Sequence, residues 1–195
     1  MSIKLKPAII LTTLLTMSSI HAQAAENNAG IIHFTGEIIE PSCEILEQDG
    51  TDSTVPLGTY PTSLFTGPGV ESPLKPFTIT LVDCPVTSAG LPAVKLTFTG
   101  STTLTKTDSL LDVSQISTSG TVAAQGVGIA VTPNQADTTY IKFDGSDMGV
   151  EVGLPDLAND AVEATFNARY KSFAAASAVK AGAADADMTI NILYR

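Results

Sequence analysis

The sequence contains few of the residues that enzymes use for proton transfer and metal binding. Among 195 residues there are only two histidines, His21 and His33, and neither belongs to a recognisable catalytic or metal-binding set. Serine and threonine are plentiful, but none lies in a nucleophile-elbow motif. We therefore expect a protein that is not an enzyme and that needs neither a cofactor nor a metal.

Positively charged residues are also scarce. Ten lysines and arginines are outnumbered by twenty aspartates and glutamates, which gives a formal net charge of −10 at neutral pH. The basic residues are scattered along the chain, so a compensating basic patch is not expected. A surface of this sign repels nucleic acid and anionic lipid, and neither is expected as a partner.

The only long apolar stretch lies at the N-terminus. Ala8–Met17 follows Lys4 and Lys6 and precedes Ala22-Gln23-Ala24, the small-x-small pattern that signal peptidase recognises. The stretch is too short to cross a bilayer core of about 30 Å as a helix, so residues 1–24 are expected to be a signal peptide and not a membrane anchor. The remaining chain has eight basic and twenty acidic residues, a formal charge of −12, and the length of a single domain.

Cysteine occurs only at Cys43 and Cys84. A catalytic or metal-binding thiol pair would need CxxC spacing or neighbouring histidines, and the sequence has neither. In a chain destined for an oxidising compartment, an isolated pair predicts one disulfide bond.

Two acidic groups are interpreted as surface features. The stretch from Asp144 to Asp147 lacks the further spaced acids and the closing glutamate of a calcium loop, so a solvated turn is expected. Asp108 and Asp112 are expected to be surface charges.

The mature chain is rich in period-two alternation of apolar and polar residues, which is typical of half-buried β-strands. Turn clusters of glycine, proline, serine and aspartate separate the alternating stretches. The strands predicted in this way cover residues 77–81, 94–98, 127–131, 162–170 and 188–194. Many short strands with frequent turns indicate an antiparallel β-sandwich. Residues 174–186 are alanine-rich, but Gly182 and their position between two strands favour a loop.

The start of the mature chain is unusual for a closed sandwich. A polar segment, residues 25–29, precedes a stretch whose alternation places five residues on one face: Gly30, Ile32, Phe34, Gly36 and Ile38. A glycine in the middle of an apolar face leaves a gap where a side chain would otherwise pack. The stretch could be an ordinary first strand, but it is better suited to a groove in another molecule.

These features together resemble the subunits of chaperone–usher fimbriae, especially the major pilins of type 1 pili. The resemblance covers nearly the whole precursor. It rests on the signal peptide, the GxxxFxGxIxxxxC motif from Gly30 to Cys43, the second cysteine in LVDCP, the FNARY run at residues 166–170, Gly182 as the fourteenth residue from the end, and the penultimate Tyr194.

The resemblance implies an all-β fold, an incomplete immunoglobulin-like antiparallel β-sandwich of six strands that lacks the seventh. Residues 25–39 would be an N-terminal donor-strand extension, and residues 40–195 the pilin domain. The five residues on the apolar face of the extension would enter a neighbour's groove. The residues that form the groove strand and contact the chaperone would be Gly182, Met188, Ile190, Ile192, Tyr194 and Arg195.

The resemblance also implies partners and a location. A periplasmic pilus chaperone would fill the groove first, and at the outer-membrane usher a neighbouring pilin would replace it by donor-strand exchange, building a homopolymer. The chain would be exported through the periplasm to a cell-surface fimbrium that supports cell adhesion. A major shaft subunit is favoured over a minor adaptor. The alternatives are a sugar-binding fimbrial adhesin, which normally needs an additional lectin domain, and a small secreted β-sandwich protein.

Overall fold

The computed structural model describes residues 32–36, 43–46, 53–87, 92–113, 122–134, 138–146 and 149–194. The chain divides into two units, Met1–Gly36 and Glu37–Arg195. In the first unit, residues 32–36 form neither helix nor strand and are exposed to solvent. The predicted signal peptide and residues 25–29 lie outside the described residues. Within the described ranges, no helix is long and apolar enough to cross a membrane.

The second unit is built mainly from β-strands, with short 3-10 helices at Thr62–Leu64 and Ala176–Ala178. The strands are β1 (Glu44–Ile45), β2 (Lys75–Val82), β3 (Ala93–Thr99), β4 (Leu111–Asp112), β5 (Val127–Pro133), β6 (Val150–Gly153), β7 (Val162–Ser172) and β8 (Thr189–Tyr194). The five strands predicted from alternation are confirmed as β2, β3, β5, β7 and β8. The described residues also form three short strands, β1, β4 and β6, which alternation did not predict because two to four residues are too few to show a period-two pattern.

The strands form two antiparallel sheets. One sheet has the order β1-β2-β7-β5-β4, and the other has the order β6-β3-β8. In the larger sheet, Phe77 of β2 pairs with Phe166 of β7, and Val131 of β5 pairs with Ala168 of β7. The β3–β8 register sets Leu96 opposite Ile192 and Phe98 opposite Ile190. The inward faces of both sheets are therefore apolar, as the alternation requires.

The hydrophobic core lies between the two sheets. Phe98 of β3 and Phe166 of β7 are almost completely buried, and their rings meet edge to face with centroids 5.6 Å apart. Phe77 stacks on Phe166 from within the larger sheet, at 5.4 Å. Aromatic pairs of this geometry add about 0.5–1.5 kcal/mol to the free energy gained from burial. The contact between sheets confirms the predicted sandwich.

A disulfide bond joins Cys43, just before β1, to Cys84, just after β2, across 41 positions of sequence. This confirms the pairing expected from the isolated cysteines. Strand β1 pairs with β2 only through Glu44 and Ile45, so it has few backbone hydrogen bonds of its own. The cross-link holds this two-residue strand at the edge of the larger sheet, and closing such a loop stabilises a fold by about 4 kcal/mol on the chain-entropy estimate.

Asp112 is a structural residue in the interior, and its prediction as a surface charge is wrong. Only 1% of the residue is exposed. Its carboxylate accepts hydrogen bonds from the side chains of Ser101 and Thr103 and from the backbone N–H groups of Leu104 and Thr105, at 2.8–3.0 Å. Burial acts to raise the pKa of Asp112, but these donors outweigh it and hold the pKa below its usual value. The carboxylate thereby fixes the loop that follows β3.

Asp108 and Asp144 lie at the surface, as expected. Asp108 is half-exposed and forms an ion pair with Lys142 at 2.7 Å. Asp144 lies in a turn, where its carboxylate accepts a hydrogen bond from the backbone N–H of Ser146 at 2.8 Å and Gly145 has a φ of +73°. Asp147 lies outside the described residues.

Candidate functional site

Strand β8 is the edge of its sheet within the described residues. It pairs with β3 on one side, and no described strand pairs with its other side. An edge strand of this kind presents a row of backbone N–H and C=O groups to which another chain can add. The C-terminal strand predicted to form a groove wall therefore has an available edge.

The inward face of β8 is incompletely covered. Met188, Ile190, Ile192 and Tyr194 pack against the core cluster, yet all four are only partly buried. On the neighbouring strand β3, by contrast, Val94, Leu96 and Phe98 are at most 1% exposed. β8 therefore contributes a row of apolar side chains to the interior, and among the described strands none covers the side of β8 away from β3.

Two cavities lie alongside this row, at the end where β8 begins. One, of about 530 Å³, is bordered by Met188 and Ile190 and by residues of the larger sheet: Phe77, Ile79, Ile129, Val131 and Ala168. The other, of about 730 Å³, lies beside the segment that precedes β8. Its apolar lining includes Leu57, Tyr60, Phe65, Tyr170, Val179, Ala184 and Ala186. We call the two cavities and the partly buried row of β8 the groove.

Tyr194 lies at the opposite end of the groove, where β8 ends. The backbone N–H of Cys43 donates a hydrogen bond to the Tyr194 hydroxyl at 2.9 Å. Burial raises the pKa of Tyr194, and this hydrogen bond partly opposes the rise, so the phenol is neutral at physiological pH. The hydrogen bond thus fixes the end of β8 next to the disulfide. Tyr194 therefore makes a specific polar contact in addition to packing against the core.

Gly182 is required by a close approach between two chain segments. A Cβ atom at this position would lie 2.4 Å from backbone atoms of Val122, Ala123 and Ala124. Backbone hydrogen bonds of 2.8 Å link Ala124 N–H to Ala183 O and Ala183 N–H to Val122 O. Gly182 also lines the larger cavity. As expected, this part of the alanine-rich segment is a loop, although residues 176–178 form a 3-10 turn.

The described part of the predicted donor strand is strongly exposed. Ile32 is 79% exposed and Phe34 is 93% exposed. A Cβ at Gly36 would have no atom within 4 Å. These exposures are those that the donor-strand hypothesis expects of the free subunit, and the role of this segment stays a prediction. Gly30, Ile38 and Arg195 lie outside the described residues, so their predicted roles stay predictions.

Sequence reasoning missed the part of the groove formed by residues 53–65. This segment supplies Leu57, Tyr60 and Phe65 but has no period-two pattern. It also missed Tyr170, whose hydroxyl donates a hydrogen bond to the backbone oxygen of Ala184 at 3.0 Å and whose ring meets Tyr60 edge to face. The alternation placed Tyr170 on an inward face, but only the three-dimensional structure shows that this face borders a cavity.

The fold and the groove define a class of protein, the incomplete immunoglobulin-like β-sandwich with an uncovered C-terminal edge strand. The family model for fimbrial proteins matches residues 32–195. The type-1 fimbrial protein subunit of Serratia marcescens is 39% identical over 188 residues, which cover 93% of this chain and 98% of that protein. The type-1 fimbrial protein A chain of Salmonella typhi is 36% identical over 167 residues, covering 86% and 83%. The chain belongs to the fimbrial protein family.

Solved structures give the same assignment. The P pilus rod subunit PapA has a TM-score of 0.58 and 26% identity to this chain, covering 78% of it and 99% of PapA. A subunit from a chaperone–usher pilus structure has a TM-score of 0.56 and 26% identity, covering 89% and 100%. The protein is a fimbrial subunit of the chaperone–usher class, a structural component of a surface fimbrium and not an enzyme.

Proposed function

We propose that this chain is a major shaft subunit that polymerises by donor-strand exchange, in which residues 30–38 of one copy fill the groove of another. The observation that carries the proposal is the incomplete burial of Met188, Ile190 and Ile192 on an edge strand. The same chain also exposes Ile32 and Phe34, side chains of the kind that such a groove would bury. A chain that carries both the groove and the strand that would fill it can form a homopolymer.

The energetics of such a joint favour a long-lived fibre. Burying Ile32, Phe34 and Ile38 in a neighbour would contribute on the order of 5–8 kcal/mol, at about 1.5–3 kcal/mol for each side chain. Pairing with the edge of β8 would add backbone hydrogen bonds, each worth about 1 kcal/mol at best. The inserted strand would also cover an edge that otherwise promotes aggregation.

The same groove explains why a chaperone would be needed before assembly. A subunit with an uncovered apolar row and an available edge is exposed to non-specific association until the row is covered. A periplasmic chaperone that adds a strand to β8 would cover both, with Tyr194 and Arg195 at the end of its contact. An outer-membrane usher would be the place where the next subunit's residues 30–38 replace that strand.

The shaft assignment has support from relatives of similar length. The probable major fimbrial subunit LpfA of Escherichia coli O157:H7 is 32% identical over 190 residues, which cover 97% of each chain.

The proposal is tested with a mature subunit that lacks residues 25–39 and a synthetic peptide of residues 25–40. We expect the peptide to bind this subunit and to raise its melting temperature strongly, because binding to the folded state alone stabilises it. The matched control is the same peptide with Phe34→Asp, which would place a charge in an apolar groove and should bind far more weakly. A truncated subunit that is fully stable alone and ignores the peptide would contradict donor-strand exchange.

A further inference from the structure

Two exposed loops lie at opposite ends of the sandwich. Strands β3 and β6 are antiparallel, with Ala93 opposite Gly153 and Leu96 opposite Val150. The chain therefore leaves β3 after Thr99 at one end and leaves β6 after Gly153 at the other. We call the loop of residues 100–110 the first end loop and the loop of residues 154–161 the second end loop.

The first end loop presents an apolar and a basic side chain on a fixed backbone. Leu104 is 62% exposed, and Lys106 is exposed and makes no ion pair in the part of the chain that the structure describes. Buried Asp112 accepts hydrogen bonds from the backbone N–H groups of Leu104 and Thr105. Lys106 itself has a φ of +56°, a left-handed conformation that a residue with a side chain adopts only when its surroundings impose it.

The second end loop presents an apolar and an acidic side chain in a similarly constrained turn. Leu157 is 68% exposed, and Asp160 beside it is also exposed. The backbone N–H of Asp160 donates to Leu157 O at 3.3 Å, and Asn159 has a φ of +69°. The side chain of Asp156 is occupied by a 2.8 Å hydrogen bond from Thr87, which fixes the start of the loop.

We infer that the first end loop of one copy of this chain contacts the second end loop of another copy, with Leu104 against Leu157 and Lys106 against Asp160. The partner is a second copy because the two loops complement each other in apolar and charged character. Since they lie at opposite ends, the contact is heterologous, and repetition of it extends a fibre instead of closing a dimer. In a chain with a net charge of −10, a lysine that makes no ion pair among the described residues also offsets the repulsion between copies.

The contact goes beyond donor-strand exchange, because neither end loop lines the groove. It is tested in assembled fibres that carry Leu104→Cys and Leu157→Cys together. After oxidation, heating in detergent without reductant should leave a ladder of cross-linked oligomers. Each single variant should give no ladder. The matched control pairs Leu157→Cys with Val122→Cys, another strongly exposed apolar position, and should also remain monomeric. Fibres that form normally but give no ladder would overturn the contact and leave donor-strand exchange intact.

Charge exchange provides a second test that does not depend on engineered cysteines. Lys106→Glu should raise the rate at which sheared fibres fragment by about two- to five-fold at low salt, with a smaller effect in about 1 M salt. Adding Asp160→Lys should restore the original rate to within about two-fold. The control adds Glu151→Lys instead, which makes the same change in net charge at another exposed site and should not restore it. Equal rescue by both lysines, or no effect of Lys106→Glu, would refute the contact.

Discussion

Replacing Gly182 with alanine tests whether this glycine is needed by the subunit's own fold. The added Cβ would lie 2.4 Å from backbone atoms of residues 122–124. Ordinary contact between such atoms is about 3.5 Å, so one of the two segments must move by about 1 Å. The two 2.8 Å backbone hydrogen bonds between Ala183 and its neighbours in that segment oppose the movement.

The expected cost follows from this geometry. Overpacking of this kind destabilises a protein by about 1–3 kcal/mol or more, and here the clash is with backbone and cannot be relieved by a side-chain rotation. For a domain of this size, each 1 kcal/mol lowers the melting temperature by roughly 2–4 °C. Gly182→Ala should therefore lower the melting temperature of the mature subunit by roughly 2–12 °C.

Gly153→Ala is the matched control, because a Cβ at Gly153 would meet nothing within 4 Å. At such an open position alanine should be neutral or stabilise by about 0.4–1 kcal/mol, through the unfolded chain. Thermal unfolding of both variants is followed by circular dichroism in the same buffer. If Gly182→Ala unfolds at the same temperature as Gly153→Ala, the close approach at residues 122–124 does not explain the glycine.

Three further sets of substitutions test assembly, the buried carboxylate and the disulfide bond. Phe34→Asp and Gly36→Leu should each stop fibre growth, seen by electron microscopy, while leaving the melting temperature of the subunit unchanged, because both residues are exposed. Asp112→Ala should destabilise the subunit, since each backbone N–H left without a partner costs about 1–3 kcal/mol. The folded state lowers the pKa of Asp112, so the ionised carboxylate stabilises the fold fully at neutral pH, and this stabilisation is lost as the pH falls through the folded pKa. Asp112→Asn should remove this part of the pH dependence of the free energy of unfolding, measured by urea titration at several pH values. Replacing Cys43 and Cys84 together with serine should lower the free energy of unfolding by about 4 kcal/mol, and an unchanged denaturation midpoint would contradict the entropic account.

The period-two pattern was sufficient to predict the five longest strands, because alternation directly reports a strand with one buried face. It also placed Met188, Ile190 and Ile192 on one face of the C-terminal strand. What it could not give was the degree of burial of that face, which depends on which strand lies beside β8 in space. The distinction between a closed and an open sandwich is therefore a property of sheet order and not of any one segment.

Asp112 illustrates a different limit of sequence reasoning. An acidic residue in a polar, threonine-rich stretch is most simply a surface charge, since burial of a carboxylate is costly unless it is fully hydrogen-bonded. Here Ser101, Thr103 and two backbone N–H groups supply those bonds. These hydrogen bonds form only because the loop after β3 folds back onto β4. No local sequence pattern predicts that contact.

The groove is not uniform along β8, because its two cavities lie beside the start of the strand and not beside its end. Near Tyr194, the hydrogen bond from Cys43 holds β8 close to the disulfide, and neither cavity is lined by Ile192 or Tyr194. Near Met188, where β8 begins, the larger sheet and the segment before β8 leave two cavities. Because packed interiors resist extra volume, bulky side chains of an added strand are most easily accommodated where these cavities lie. In the donor-strand exchange that we propose, a strand with glycines among its large residues would place those large residues where the cavities lie, and this match would restrict the strand to one register.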